Sequence, residues 1–202
     1  MLIARVFVLL VCFPVHECAH ALIADRLGDH TAKKRGRVTL NPFKHLDFMG
    51  TVLILLIGVG YAKPVPVNIR HFKKPKRDFA LTAAAGPLSN LLMAVLFLFI
   101  LKAIPYAKPA AGTAYMLRTL VFYAAYINVG LAMFNLIPIP PLDGSRVVMA
   151  FLPDGAYNSM LKKERYVMGA LLIAVMYFNQ IGFSPVSAVT RAVFNFFYKL
   201  IL

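Results

Sequence analysis

Charge is scarce in this chain. Asp, Glu, Lys and Arg make up 15% of its 202 residues, against about a quarter in a soluble domain. Hydrophobic residues make up 60%, and the mean hydropathy is +0.71. These values exclude an ordinary soluble enzyme and point to an integral membrane protein. Acidic residues are scarcer still: 8 against 22 Lys and Arg, a formal net charge of +14. The basic surplus sits in short loops between apolar runs. That distribution follows the positive-inside rule and argues against a nucleic-acid interface. Only two cysteines occur, Cys12 and Cys18, both inside the first apolar run. They read as small buried residues and not as a disulfide framework. No A-x-A site follows that run, so no cleavable signal is expected. There is no internal repeat and no low-complexity segment. The length suits one compact helical domain, 1–202, without an additional soluble one.

What is present is a series of apolar runs. Residues 1–27 are long enough to cross a bilayer, which takes about 20 residues. Pro14 within this run is expected to kink it and free a carbonyl. Residues 28–78 hold basic loops around a short apolar stretch, 48–62, interrupted by Gly50, Gly58 and Gly60. This stretch is short for a crossing, and basic loops of similar weight flank it. A re-entrant, kinked or hairpin segment, with both loops on one side, satisfies the charge rule. Arg37-Val38-Thr39-Leu40 alternates like a strand, and Lys63-Pro64-Val65-Pro66-Val67 reads as extended and edge-like. Residues 79–104 and 117–137 are full spans, and 145–152 a short helix. Residues 166–183 are a further span, and the aromatic, amphipathic stretch 186–202 is a short span or a surface helix. The predicted fold is an all-α polytopic bundle of about five to six transmembrane helices, with a re-entrant or β-hairpin-like segment after the first.

Two places in these runs are chemically expensive. The first is His16-Glu17-Cys18-Ala19-His20. Two imidazoles and a carboxyl inside a membrane span need partners, and function is the usual reason to keep them. Residues four apart on a helix are offset by about 40°, so His16 and His20 can share one metal ion. Glu17 projects about 100° from His16, within reach of a water at that metal. This is the H-E-x-x-H arrangement of zinc peptidases. A helix–helix hydrogen-bond cluster is the competing reading, but it does not explain why the carboxyl directly follows the first His. Cys18 points about 200° away from His16 and is not expected to be a ligand.

The second is Asn135-Leu136-Ile137-Pro138-Ile139-Pro140-Pro141-Leu142-Asp143-Gly144, at the end of the third span. Its prolines break the helix, and broken helices at membrane depth line cavities or are buried in protein. Asn135 and Asp143 are thereby presented at such a place. Taken alone, Asp143 reads better as a helix cap. Beside the first cluster it reads as a candidate third ligand. His45 and Asp47 are either outer-shell groups or an interfacial pair capping the next segment. Asn90, in a small-residue stretch, needs a polar partner.

The loops around 26–44, 63–77 and 146–165 hold most of the basic residues, which places them in the cytoplasm. His16 and His20 then lie in the later half of an inward-running span, at a depth similar to Asp143.

With both motifs in view, the chain resembles the site-2 protease family of intramembrane zinc metalloproteases. The resemblance rests on His16-Glu17-x-x-His20 and on Asn135-x-x-Pro138-x-Pro140-x-Leu142-Asp143-Gly144. Ala85-Gly86-Pro87-x-x-Asn90 also resembles the family's central-helix pattern. It is the compact branch, without PDZ or CBS domains, that the chain is similar to. The resemblance implies that His16, His20 and Asp143 ligate one Zn2+, that Glu17 is the general base and acid, and that Asn135 is near the substrate carbonyl. It implies a membrane-embedded protein substrate, and it relates residues 48–67 to a hairpin engaging extended substrate. Two imidazoles and one carboxylate leave zinc an open fourth position, the pattern of a catalytic site. The expected activity is zinc metalloendopeptidase cleavage of membrane-embedded proteins, in the plasma membrane of a prokaryote, with the site nearer the cytoplasmic face. A non-proteolytic membrane metal-binding or transport protein, or an inactive protease-like scaffold, would use the same cluster differently. Metal flux into liposomes or the metal content of the purified protein separates these. The oligomeric state is open.

Overall fold

The computed structural model describes residues 2–57, 63–106, 112–153 and 185–202, with further helical residues at 155–156, 159, 166–171, 173–174 and 177. Every regular element among them is helical. Three stretches are long and apolar enough to cross a membrane: Ile3–Arg26, Pro75–Ala103 and Thr113–Asn135.

The first of these is not one uniform helix. Helix α1 (Leu2–Phe7) and helix α2 (Phe13–Arg26) are joined by a π-helical turn, Val8–Cys12. Pro14 lies just beyond it and has no N–H to give the carbonyl four residues back. The chain widens immediately upstream, where the Phe13 amide donates to the Val8 carbonyl five residues earlier. The expected irregularity at Pro14 thus takes the form of a π-turn one turn ahead of His16. Helix α2 ends in a paired cap. Gly28 turns to φ +109°, its amide meets the Asp25 carbonyl, and the Asp29 amide meets that of Ala24. Only glycine takes this left-handed turn cheaply.

Short helix α3 (Thr31–Lys34) follows, then α4 (Phe48–Ile57). Asp47 caps α4 through the Gly50 amide at 3.0 Å, so the capping alternative describes this residue. The strand pattern at 37–40 does not form a strand, and no strand occurs among the described residues. Side chains take the backbone donors here instead. Thr39 Oγ1 accepts from the Asn41 amide, and Asn41 Oδ1 from the Phe43 amide. The 63–67 stretch is likewise outside regular structure, tied to the rest by the Lys63 amide on the His45 carbonyl. Positions 58–62 of the expected short segment lie outside the described residues.

Helix α5 (Pro75–Ala103) starts four residues earlier than the hydropathy suggests. Pro75 fits the first helical position, where no N–H is needed, and Asp78 Oδ2 reaches back to the Lys74 amide. Helices α6 (Thr113–Asn135), α7 (Asp143–Met149) and α8 (Pro185–Ile201) complete the described set. Helix α5 is central and packs against α2, α6, α7 and α8. Small residues set these contacts: Ala94, Ala124 and Ala125 are fully buried, beside Leu98, Val129 and Phe194. Without a hydrophobic drive between spans, close backbone approach over small residues gives the association. On the outer side of α5, Leu88, Leu92, Leu96 and Phe99 are at least half exposed, as a lipid-facing stripe requires.

The loops at one end are clasped together. Asp29 has no exposed surface and accepts four hydrogen bonds: Thr31 amide (3.1 Å), Thr31 Oγ1 (2.5 Å), Asn68 amide (2.6 Å) and His71 Nδ1 (2.9 Å). Burial raises the Asp29 carboxyl, but these bonds outweigh it and leave the group below its ordinary value. A carboxyl depressed in the folded state contributes stability above its unfolded pKa and loses it as pH falls through the folded one. The clasp should therefore hold at neutral pH and open only in acid, as pH falls through a folded value that lies below the ordinary carboxylate range. Asp29→Asn is expected to lower the melting temperature at pH 7 and to flatten its acid-side decline. A melting curve in detergent that declines with acid as steeply as that of the parent protein would rule the clasp out.

Candidate functional site

The site is assembled from three elements. Helix α2 carries His16, Glu17 and His20, all under 9% exposed. Helix α5 faces them with residues four apart: Thr82, Gly86 and Asn90. The proline-broken turn after α6 delivers Asp143 as the first residue of α7.

Each α5 residue has a distinct part. The Thr82 carbonyl accepts from His20 Nδ1 at 2.8 Å, which fixes the proton on Nδ1 and leaves Nε2 its lone pair. Gly86 leaves room for the imidazoles beside α5. A β-carbon there would overlap His20 Nε2 and Cε1 and His16 Cε1. Asn90, 1% exposed, has its side-chain amide 3.1 Å from His16 Nδ1. The turn from 135 to 144 is equally tight. A β-carbon at Gly144 would overlap the Leu136 and Ile137 carbonyls, so glycine lets α7 begin directly under the end of α6.

His16 Nε2, His20 Nε2 and Asp143 Oδ2 converge. They lie 3.0 Å apart between the histidines and 3.3 and 3.4 Å from each histidine to the carboxylate. A tetrahedral zinc with bonds of about 2.1 Å has ligand–ligand edges of about 3.4 Å, so these three atoms fit one face of such a site. Asp143 Oδ2 is buried, and its polar neighbours are the two histidine Nε2 atoms, as suits an oxygen that shares a metal with them. No other group of three His, Cys, Asp or Glu side chains among the described residues has this arrangement, and Cys18 is outside it. Both cysteines are free.

Glu17 lies next to His16 and within electrostatic range of both His20 and Arg37. In the sequence Arg37 reads as a loop charge at the start of the strand-like stretch 37–40. In the structure it is 6% exposed and donates to the Lys63 and Pro64 carbonyls at 2.6 and 3.2 Å. Burial pushes its guanidinium down, and the Glu17 charge pushes it up; it stays a cation. No sequence signal separates it from its basic neighbours. His45, an outer-shell candidate, is fully buried but serves this loop: Nε2 donates to the Thr39 carbonyl at 2.8 Å. Asn135 donates its Nδ2 to the Leu131 carbonyl at 2.9 Å, within its own helix. The structure therefore brings His16, His20 and Asp143 together with Glu17 adjacent, and holds Asn135 in a different contact.

The family described as "Peptidase family M50" matches residues 103–178, a stretch that includes Asp143 but not His16. The chain is 42% identical over 179 residues to YwhC of Bacillus subtilis, covering 88% of this chain and 81% of that one. It is 28% identical over 167 residues to Rip2 of Mycolicibacterium smegmatis, covering 80% and 61%. It is 31% identical over 137 residues to MJ0611 of Methanocaldococcus jannaschii, covering 67% and 64%. All three are named as candidate zinc metalloproteases. This chain thus spans less than two thirds of the second and third of these relatives. No solved structure matches it.

Proposed function

We propose an intramembrane endopeptidase, on one premise already in hand: the chain belongs to peptidase family M50 and is a zinc metallopeptidase with membrane-spanning helices. Its substrates are proteins embedded in the same bilayer. The observation that carries this reading is the convergence of His16, His20 and Asp143, with Glu17 adjacent, between helices apolar enough to span a membrane.

In this reading His16 Nε2, His20 Nε2 and Asp143 Oδ2 hold the metal. Bound there, zinc supplies Lewis acidity, polarising the scissile carbonyl and acidifying water to a pKa of roughly 7. A carboxylate oxygen of Glu17 takes a proton from the attacking water and later gives one to the leaving amine. Asn135 turns its Nδ2 from the Leu131 carbonyl toward the developing oxyanion. Arg37 keeps a positive charge near Glu17 while holding the extended 63–67 stretch by its carbonyls.

Topology supports a cytoplasmic-side site. Arg37 bonds 63–64, Asp29 bonds Asn68, and Lys76 Nζ reaches the Leu152 carbonyl at 2.7 Å. The described parts of the basic loops thus meet at one end of the bundle, and in our reading, following the positive-inside rule, that end lies in the cytoplasm of a prokaryotic cell. We keep the segment that begins with α4 as re-entrant, because basic loops of similar weight flank it in the sequence. By hydropathy alone we take the stretch 166–183 and helix α8 as further crossings, which with the three long apolar helices gives five.

The test uses proteoliposomes holding the protein and a single-span substrate. Cleavage inside the substrate's span, mapped by mass spectrometry, should stop with a chelator and return with zinc. Chelator-sensitive zinc flux without cleavage would replace this reading with transport.

A further inference from the structure

Asn90 is the buried polar group nearest the triad that no step above uses. Its Nδ2 lies 3.1 Å from His16 Nδ1, and its Oδ1, in a residue 1% exposed, has no partner among the described residues. This placement suits a His16 whose proton is on Nε2. There Nε2–H faces His20 Nε2 at 3.0 Å and Asp143 Oδ2 at 3.3 Å. Ligation reverses the ring. With Nε2 given to a metal, a neutral imidazole carries its proton on Nδ1 and becomes a donor toward Asn90. Two donors do not bond. A half-turn of the Asn90 amide about its last side-chain bond brings the unpartnered Oδ1 to Nδ1 at the same separation, and the repulsive pair becomes a hydrogen bond.

We infer that Asn90 is a positioning residue: its Oδ1 accepts from His16 Nδ1–H and holds His16 in the tautomer that offers Nε2 to zinc. The inference rests on the reading of His16 as a zinc ligand. It matches what the Thr82 carbonyl does for His20. The two histidines are thereby oriented by groups two helical turns apart on one face of α5, with Gly86 between them clearing space for the rings. Outer-shell partners of ligating histidines set both ring orientation and basicity. The difference between the two is adaptability: a backbone carbonyl can only accept, whereas an amide can serve either tautomer by turning over.

The experiment measures zinc affinity by competition with a chromogenic chelator for the full-length protein, Asn90→Ala and Asn90→Asp, in detergent. Asn90→Ala should bind zinc about 10- to 100-fold more weakly. Asn90→Asp keeps an acceptor at the same place and should stay within about threefold of the parent, well short of that loss. Equal weakening in both variants, or none in Asn90→Ala, overturns the assignment. A second measurement covers the case in which a buried aspartate prevents folding. In zinc-loaded protein with 15N-labelled histidine, His16 and His20 should both show a slowly exchanging Nδ1–H. In Asn90→Ala only the His16 signal should be lost, with that of His20 as internal control. Loss of both signals or of neither overturns the inference. If the parent protein itself fails to bind zinc, the metal-centre reading fails first, and the two failures are distinct.

Discussion

Glu17→Gln is expected to reduce cleavage of a membrane-embedded substrate by about 10²- to 10⁴-fold, the range ascribed to positioned acid–base groups, with zinc still bound at one per chain. The substitution keeps the shape of a side chain that is only 7% exposed. It removes a carboxylate beside the triad that can both accept and return a proton. The proposed ligand atoms are on other residues, so metal content and melting temperature should change little. Arg37 loses a nearby negative charge but keeps the Lys63 and Pro64 carbonyls. The measurement is paired: metal analysis and turnover on the same preparation. Turnover within a few-fold of the parent would remove Glu17 from the mechanism. Loss of zinc together with turnover would show instead that the carboxylate builds the site.

Gly86→Ala should be the second large effect, and an unusual one. Alanine is the better helix former by about 0.5–1 kcal/mol in a helix interior, so α5 itself has no reason to resist it. Its methyl group nevertheless takes the space of His20 Nε2 and of both Cε1 atoms. The rings must swing away, and the Nε2 atoms leave the triangle they form with Asp143. Zinc content and cleavage should both fall to background, while helix content by circular dichroism stays at the parent level. Full zinc occupancy in Gly86→Ala would mean that α5 lies farther from α2 than the structure places it. Gly144→Ala would be less informative, because the overlap there is with backbone carbonyls and the whole turn would have to move.

The parts legible in the sequence are those where the membrane makes chemistry costly. His16, Glu17 and His20 in an apolar run, and Asp143 after three prolines, cannot be explained by hydropathy, so they stand out without coordinates. The positions of three spans were legible from hydropathy, to within about four residues. Other features depend on which neighbour a side chain meets. Arg37 is one of several basic loop residues until it is seen buried against the Lys63 and Pro64 carbonyls. Asp29 is a polar residue after a glycine until Asn68 and His71 close on it. The alternation at 37–40 misled because a strand needs an available partner edge, and here Thr39 and Asn41 satisfy the local amides themselves. Asn90 was flagged as needing a partner, but its partner, His16, is 74 residues away.

That separation bears on biogenesis. The triad joins residue 16 to residue 143, and α5, threaded between them in the chain, supplies the groups that seat both histidines. A nascent chain cannot complete the centre until its first three spans are inserted and the turn beyond the third has left the ribosome. A half-synthesised or wrongly inserted copy thus lacks the assembled centre. Metal loading would then be a maturation step, and on the proposed function the order of translation would act as a safety catch on the hydrolase.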